Sequence, residues 1–337
     1  MLTSGVALPS VYGADSPKMN SADLRTKGYE LSLSWRDEFQ LLRRPFTYSV
    51  TVTFNDYVTD ITKYDNPDRT FAKSYYEGMR WGEIWGYRIG GLFATDAEAA
   101  GYDVDQTAVN NRINAAAGSE RGLHAGDLKF LDLDGDNVIS IGKNTVDDPG
   151  DRKIIGNSEP RYIYTISLNA DWNGFFLSAL FDGVGRQQWF PSDESLFWGM
   201  YNRPYNQVPT WHLQNYWTEE RPNAYLPRYV GYYGPMNAGT ANINTRYLQD
   251  VSYIRLKNLQ FGYDLPKRWI SKIGLSKVSV YFSGENLWSW SPLYRHTKDF
   301  DVMVANKKSD SDISDSKGDG HNYPVMRSFS FGISITY

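Results

Sequence analysis

The fold is decided by the stretch Pro324-Val-Met-Arg-Ser-Phe-Ser-Phe-Gly-Ile-Ser-Ile-Thr-Tyr337. Its side chains alternate with a period of two, which is the period of a β-strand because successive side chains point to opposite faces. One face is apolar apart from a single arginine: Val325, Arg327, Phe329, Phe331, Ile333, Ile335 and Tyr337. The other face is small and mostly polar: Met326, Ser328, Ser330, Gly332, Ser334 and Thr336. Such a strand separates an apolar surrounding from a watery one.

Four further segments show the same alternation, and two more look extended. The seven predicted strands lie near 27–38, 45–60, 160–171, 174–184, 246–263, 277–290 and 324–337. Most are close to the roughly 9 to 11 residues that a tilted strand needs to cross a bilayer. The pattern changes face near Lys257, which predicts a β-bulge. Asn173-Gly174 predicts a type I′ turn between the third and fourth strands.

The connections between these strands alternate in length. The long ones are predicted at 61–159, 185–245 and 291–323. Short turns at one end and long loops at the other are typical of outer-membrane barrels. The sequence therefore predicts an all-β fold, an antiparallel transmembrane β-barrel segment of about seven strands. Bacterial barrels use an even number of strands, so we expect a larger barrel of which this chain is the carboxyl-terminal portion. The amino terminus shows no secretory signal pattern, which agrees with that expectation.

Composition narrows the functional classes. Aromatic residues make up 15% of the 337 residues, with 25 tyrosines and 11 tryptophans, and membrane barrels need such residues at their two water interfaces. The net charge of −4 offers no basic surface for nucleic acid. Without cysteine, the chain has no disulfides, thiolate catalysis or cysteine metal sites. The four histidines are scattered and no catalytic motif is found, so we expect no enzyme.

A secreted or surface β-sandwich that binds glycans and is stapled by calcium is the alternative interpretation. Its strands would also alternate, with the apolar face forming the core. The predicted polar faces are mostly Ser, Thr, Asn and Gly, with few of the lysines and glutamates of a soluble surface. That composition favours the barrel.

Several stretches resemble one family, in the same order along the chain. They are Asn20–Leu31, Gly86–Phe93, Gly126–Asp136, Ile155–Tyr162, Tyr253–Tyr263, Ser283–Trp288 and Tyr323–Ile333. Together they resemble the carboxyl-terminal third of the SusC/RagA-type TonB-linked outer-membrane transporters of Bacteroidetes.

The resemblance implies a 22-stranded, plugged barrel that actively imports oligosaccharides or peptides through the outer membrane. It also implies a SusD-like lipoprotein at the extracellular mouth and TonB acting on the plug from the periplasm. The plug domain, with its TonB-contacting segment, and the first part of the barrel are expected to be absent from this chain. The expected surrounding of the apolar faces is outer-membrane lipid.

An acidic repeat predicts a structural calcium site, with no other cofactor required. Alternate carboxylates on a turning loop can converge on one hard cation. The predicted ligands are Asp132, Asp134, Asp136, the backbone of Val138, and Asp147. The alternative is an acidic surface turn without metal.

Aromatic residues are concentrated in the 185–245 connection, where they could contact substrate. Aromatic faces stack on sugar rings. The predicted substrate-binding residues are Trp189, Trp198, Tyr201, Trp211 and Trp217. The alternative is that these side chains pack the connection against its neighbours.

Overall fold

A single antiparallel sheet of seven strands dominates the computed structural model. The structure describes residues 2–4, 13, 18–73, 75–110, 122–191, 195–198, 208–229, 240, 242–303 and 325–337. The strands are β1 (Asp23–Leu41), β2 (Arg44–Lys63), β3 (Arg161–Trp172), β4 (Phe175–Arg186), β5 (Tyr253–Asp264), β6 (Lys277–Trp290) and β7 (Ser328–Thr336). Each strand pairs with the next one along the chain, which gives the order β7-β6-β5-β4-β3-β2-β1.

Two local features of the sheet follow the sequence pattern closely. Asn173 and Gly174 have φ values of 50° and 93° and join β3 to β4, as a two-residue turn of type I′ requires. Leu256 pairs with Phe181 and Asn258 with Leu180, so Lys257 is the extra residue of a bulge. Both predictions are confirmed.

Several strand bounds differ from those predicted. β1 and β2 extend the predicted 27–38 and 45–60 at both ends and meet in a turn of only Leu42 and Arg43, whose φ values are 51° and 60°. β5 begins at Tyr253 instead of 246, because the residues before it belong to a folded connection. There the side chain of Arg246 donates to the carbonyl oxygens of Ala224 and Tyr225.

The sheet has two chemically different faces. The apolar face carries large exposed side chains on both outer strands, including Leu33 and Trp35 of β1 and Phe331 of β7, which is 85% exposed. The hydroxyl face is linked by side-chain hydrogen bonds between strands: Ser34 to Thr51, Thr26 to Thr59 and Thr53 to Thr165. The other sheets in the described ranges have two strands each. No second large sheet among them covers the apolar face, so the predicted sandwich alternative is not supported.

Short elements precede β1 and occupy the connections, with the helical turns Lys267–Ile270 and Ser271–Ile273 in the short link between β5 and β6. The short strands before β1 are Leu2–Ser4 and Lys18–Asn20, and those in the long connections are Glu83–Tyr87, Ile89–Leu92, Leu128–Phe130, Arg152–Asn157, Gln188–Trp189, Tyr216–Trp217, Leu226–Arg228 and Gln249–Asp250. The α-helices are Asp96–Ala100 and Lys267–Ile270, and the 3₁₀ helices are Leu196–Trp198, Thr210–Gln214, Ser271–Ile273 and Pro292–Arg295. In the described part of the chain no helix has the length and apolar character to span a membrane.

The main buried core lies in these connections, not on the sheet. We call it the loop core, and it comprises Tyr87, Val109, Leu128, Phe130, Ile139, Trp189, Phe190, Phe197, Trp198, Leu226, Tyr247, Val251, Leu293 and Phe300. All three predicted long loops contribute to it. An ion pair of 2.8 Å between Arg228 and the fully buried Asp127 joins two of its segments. The described parts of the predicted loops 61–159 and 185–245 are therefore folded structure. Residues 304–323 of the third loop lie outside the described residues, as do 111–121, 199–207 and 230–239 of the other two.

Candidate functional site

A charged network lies on the hydroxyl face where β4 and β5 reach the long connections. Thr165, Asp182 and Arg255 are in register on neighbouring strands, which places Arg255 on the hydroxyl face. The Arg255 guanidinium donates to the carboxylate of Asp301 at 2.8 Å, and the hydroxyl of Tyr253 donates to Asp182 at 3.2 Å. These contacts hold the connection after β6 against the hydroxyl face of the sheet.

A cavity of about 200 Å³ adjoins this network. Its charged lining consists of Arg255, Lys298, Asp299, Asp301 and Arg327. Arg255 is paired with Asp301, whereas Lys298 and Arg327 are exposed. A polar cavity on the hydroxyl face can contact a molecule that passes along that face. The sequence pattern placed Arg327 on the apolar face of the last strand, but that strand begins only at Ser328 and Arg327 lines the cavity. The pattern did not single out the other four residues, because they come from separate segments.

Two of the predicted substrate-binding tryptophans belong to the loop core. Trp189 and Trp198 are each only 2% exposed. The ring of Trp189 lies 6.0 Å from that of Phe300, and the ring of Trp198 lies 5.0 Å from that of Tyr247. A ring enclosed in this way has no free face for a sugar, so the packing alternative applies to both residues.

The other predicted aromatic residues are placed differently. Trp211 and Trp217 are half-buried, and the ring of Trp211 lies 5.1 Å from that of Phe197. Their indole N–H groups are buried without a hydrogen-bond partner among the described residues. Partial exposure leaves part of each ring open to a ligand. Tyr201 lies outside the described residues.

Beside these tryptophans lies a buried histidine that the sequence did not assign. His212 is fully buried, and its Nε2 lies 2.9 Å from the carbonyl oxygen of Phe197, so this nitrogen carries the proton and donates. Burial lowers the pKa of His212 from 6.5 to about 4, although the Phe197 carbonyl and the nearby Asp299 partly oppose that shift. The ring is therefore neutral near pH 7 and has a structural role in the loop core.

Three of the predicted calcium ligands converge. One carboxylate oxygen from each of Asp132, Asp134 and Asp136 lies within 4.8 Å of the others. Backbone N–H groups of Gly135 and Asn137 hold the pKa of Asp132 below its usual value. The pKa of Asp134 is raised, first by desolvation and then by the neighbouring carboxylates. Repulsion of this kind is relieved when a cation binds.

The other two predicted ligands are the side chain of Asp147 and the backbone of Val138. The carboxylate of Asp147 receives a hydrogen bond from Arg69 at 2.9 Å, in an ion pair with that guanidinium. Asp147 is therefore engaged elsewhere, because the chain between Asn137 and Asp147 turns away to pair with the segment around Thr70. The backbone N–H of Val138 donates to Asp136 at 2.8 Å and so helps to shape the loop, while its carbonyl oxygen as a ligand stays a prediction.

Comparison with known proteins identifies the relatives of this chain. No family model matches it. TonB-dependent receptor P3 of Formosa agariphila is 28% identical over 98% of the chain, and TonB-dependent receptor P39 of the same organism is 21% identical over all of it. The chain is related to the TonB-dependent receptors. The alignments cover 30% and 32% of the two receptors, so the chain spans less than a third of their length.

Solved structures agree with this relationship in fold. The RagAB peptide transporter matches 98% of the chain with a TM-score of 0.63 at 18% identity, and covers it with 31% of its own chain. The RagAB peptide importer in its open-open state matches all of the chain with a TM-score of 0.61 at 17% identity, again over 31% of its own chain. The predicted resemblance to SusC/RagA-type TonB-dependent receptors is confirmed, and so is the antiparallel barrel-segment fold.

Proposed function

We propose that the chain forms part of an outer-membrane, TonB-dependent importer of large nutrients. The two faces of the sheet carry this proposal. Fully burying one large apolar side chain is worth about 1.5 to 3 kcal/mol, and the apolar face leaves many of them exposed. Lipid is the surrounding that suits such a face, while the hydroxyl face suits a watery interior.

The two edges of the sheet support the same conclusion. β1 and β7 each pair with one neighbour only among the described strands. In hydrocarbon every unpaired backbone N–H or C=O group costs several kcal/mol, so an open sheet cannot remain in a membrane. Further strands must close the barrel. The relatives, which are more than three times as long as the aligned part, have room for such strands.

The substrate and partners that we propose come from the relatives. RagAB is described as a peptide transporter, which favours peptides, and oligosaccharides are the second candidate class. The cavity beside Arg255 supplies charged groups of both signs, as a peptide requires. We further propose that a SusD-like lipoprotein covers the extracellular end and that TonB acts through a plug region.

Nitroxide labelling tests directly whether the apolar face and the hydroxyl face of the sheet meet different surroundings. Because this chain has no cysteine, Ser330→Cys and Phe331→Cys each introduce the one labelling site within it, on β7. We expect the label at 331 to collide mainly with dissolved oxygen, which concentrates in lipid. The label at 330 should collide mainly with a water-soluble nickel chelate. Electron paramagnetic resonance of the full-length protein in lipid bilayers measures both collision rates.

Access mainly for oxygen at 331 and mainly for the nickel chelate at 330 would support the importer proposal. Equal access to the nickel chelate at both sites would mean that the apolar face meets water, and the membrane proposal would be wrong. Poor access for both reagents at 331 would indicate a covering protein layer, as in a sandwich. Leu177→Cys on β4, which also lies on the apolar face, should repeat the behaviour of 331.

We also propose that Asp132, Asp134 and Asp136 hold a structural calcium ion in the loop that follows Leu128–Phe130. The convergence of their carboxylates supports this site. Asp134→Asn should abolish calcium uptake at millimolar concentration in equilibrium dialysis. Asp147→Asn is the matched control and should leave uptake unchanged, because Asp147 is paired with Arg69. If the unmodified protein takes up no calcium, the proposal of a calcium site is wrong.

A further inference from the structure

A row of aromatic side chains crosses the apolar face at the end of the sheet that carries the short turns. Each side chain of the row lies opposite the next on neighbouring strands, from β1 to β5: Phe39, Phe46, Trp172, Phe175 and Tyr263. The rings of Phe39 and Phe46 are 5.0 Å apart, and those of Phe175 and Tyr263 are 4.6 Å apart. In a membrane barrel such a row marks the boundary between hydrocarbon and headgroups, so residues just beyond it lie at headgroup depth.

The connection between β5 and β6 lies just beyond this row and carries uncompensated positive charge. We call residues 265–276 the β5–β6 link, which begins two residues after Tyr263 and contains no aspartate or glutamate. Its cations are Lys267, Arg268 and Lys272. All three are exposed, and none forms an ion pair within the described part of the chain. These charges are therefore available to an anionic partner.

The β5–β6 link also exposes large apolar side chains beside these cations. Trp269 is 54% exposed and Ile273 is 69% exposed, whereas Ile270 between them is buried. The guanidinium of Arg268 lies 5.7 Å from the centre of the Trp269 ring. Tryptophan is enriched where membrane meets water, because its ring is apolar and its N–H group is polar. Cations next to such a ring are typical of segments that lie in the membrane interface.

The burial pattern on β6 places the β5–β6 link on the apolar side of the sheet. The helix Lys267–Ile270 contacts β6. Val278 lies opposite Ile335 on the apolar face and is buried, whereas Val280, two residues further along the same face, is exposed. The link therefore covers the end of the face that we assign to lipid, and its exposed side chains border the same surrounding.

We propose that the β5–β6 link binds anionic phospholipid headgroups, with phosphate oxygens on Lys267, Arg268 and Lys272. The inference rests on the proposed membrane location. Short turns of bacterial barrels face the periplasm, so the headgroups are those of the periplasmic leaflet. The nearest carboxylate along the chain, that of Asp264, is bound by Lys277 at 3.0 Å and leaves the charge of the link uncompensated. A zwitterionic headgroup would bring its own ammonium group close to these cations, whereas an anionic headgroup brings none.

Native mass spectrometry of the full-length protein in detergent tests this preference. Phosphatidylglycerol, which is anionic, and phosphatidylcholine, which is zwitterionic, are titrated separately with identical acyl chains. Changing Lys267, Arg268 and Lys272 together to Gln should weaken phosphatidylglycerol binding about a hundredfold, or about fivefold for each cation, and should barely change phosphatidylcholine binding. The control with Lys267→Arg, Arg268→Lys and Lys272→Arg keeps the charge and should keep the affinity. Changing Lys153 and Lys298, two exposed cations in the long connections, to Gln should also leave it unchanged.

A nitroxide at Ile273→Cys supplies a second measurement that does not depend on charge. We expect its access to oxygen and to the nickel chelate to be intermediate between those of the labels at 331 and 330, as at a headgroup boundary. Poor access for both reagents would show that protein covers the link, and the proposal would be wrong.

Two binding results would also overturn the proposal. One is unchanged phosphatidylglycerol affinity when the three cations are replaced by Gln. The other is an equal loss in the charge-retaining control, because the effect would then not depend on charge. A wrong membrane location would be detected separately: the labels on β7 report the surrounding of the apolar face without involving the link.

Discussion

Protonation of His212 at low pH should destabilise the loop core, and the burial of this side chain sets the size of the effect. The folded protein holds the ring neutral, with a pKa of about 4, whereas the unfolded chain has the ordinary value of 6.5. Each unit of pKa difference is worth 1.36 kcal/mol, so the neutral ring favours folding by about 3 kcal/mol. This contribution is complete above pH 6.5 and is lost as the pH falls towards 4, because the unfolded chain binds the proton first.

His212→Gln removes this titration while an amide can still donate to the carbonyl of Phe197. Thermal unfolding of the full-length protein, followed by tryptophan fluorescence, reports the loop core because Trp189 and Trp198 are buried in it. Between pH 6.5 and about 4 the unmodified protein should lose about 3 kcal/mol more stability than the variant. Titrations shared by the two proteins cancel in this comparison.

A second histidine serves as the control. His296 stacks on Tyr225, and burial also lowers its pKa, but its side chain is only half-buried. His296→Gln should therefore retain most of the acid sensitivity. If the unmodified protein and His212→Gln lose stability in parallel over this interval, His212 is not held neutral and the reasoning fails.

Two further substitutions test close packing on the sheet and in the loop core. Gly332→Ala places a methyl carbon 2.4 Å from the ring of Tyr281, so we expect a loss of about 1 to 3 kcal/mol in urea unfolding. Adding Tyr281→Ser should recover part of that loss, and strict additivity would contradict the contact. Arg228→Met leaves the buried carboxylate of Asp127 without its cation and should cost about 3 to 5 kcal/mol, measured as a lowered melting temperature. A loss below about 1 kcal/mol would contradict the importance of this buried ion pair.

The features of the sheet that sequence could predict are those encoded by neighbouring residues. Alternation along Ser328–Thr336, the positive φ values at Asn173-Gly174 and the bulge at Lys257 all depend on local pattern. The tight turn at Leu42-Arg43 escaped prediction, because neither residue is typical of positions with positive φ. Tertiary pairing of the long β1 and β2 strands imposes that turn.

The candidate sites show a similar division. Asp132, Asp134 and Asp136 converge because they are two residues apart on one loop. Asp147 was assigned to the same loop by proximity in sequence, but Arg69, far away along the chain, binds it. Trp189 and Trp198 look like surface residues of a loop until the segments around them assemble into a core. Composition alone does not reveal which segments of a long connection pack together.

This protein exposes large apolar side chains on its sheet and buries them in its connections, the opposite of a soluble domain. This distribution explains its architecture. The regular strands expose their large side chains, as at Phe331 and Trp35, whereas the irregular connections bury theirs, as at Phe130 and Phe197. The loop core can form in water because its apolar groups face one another. The sheet gains little from its own apolar face until lipid covers that face. The folded connections and the open sheet are therefore stabilised by different surroundings. When one detergent is exchanged for another, we expect the loop core to keep its structure and the stability of the sheet to change.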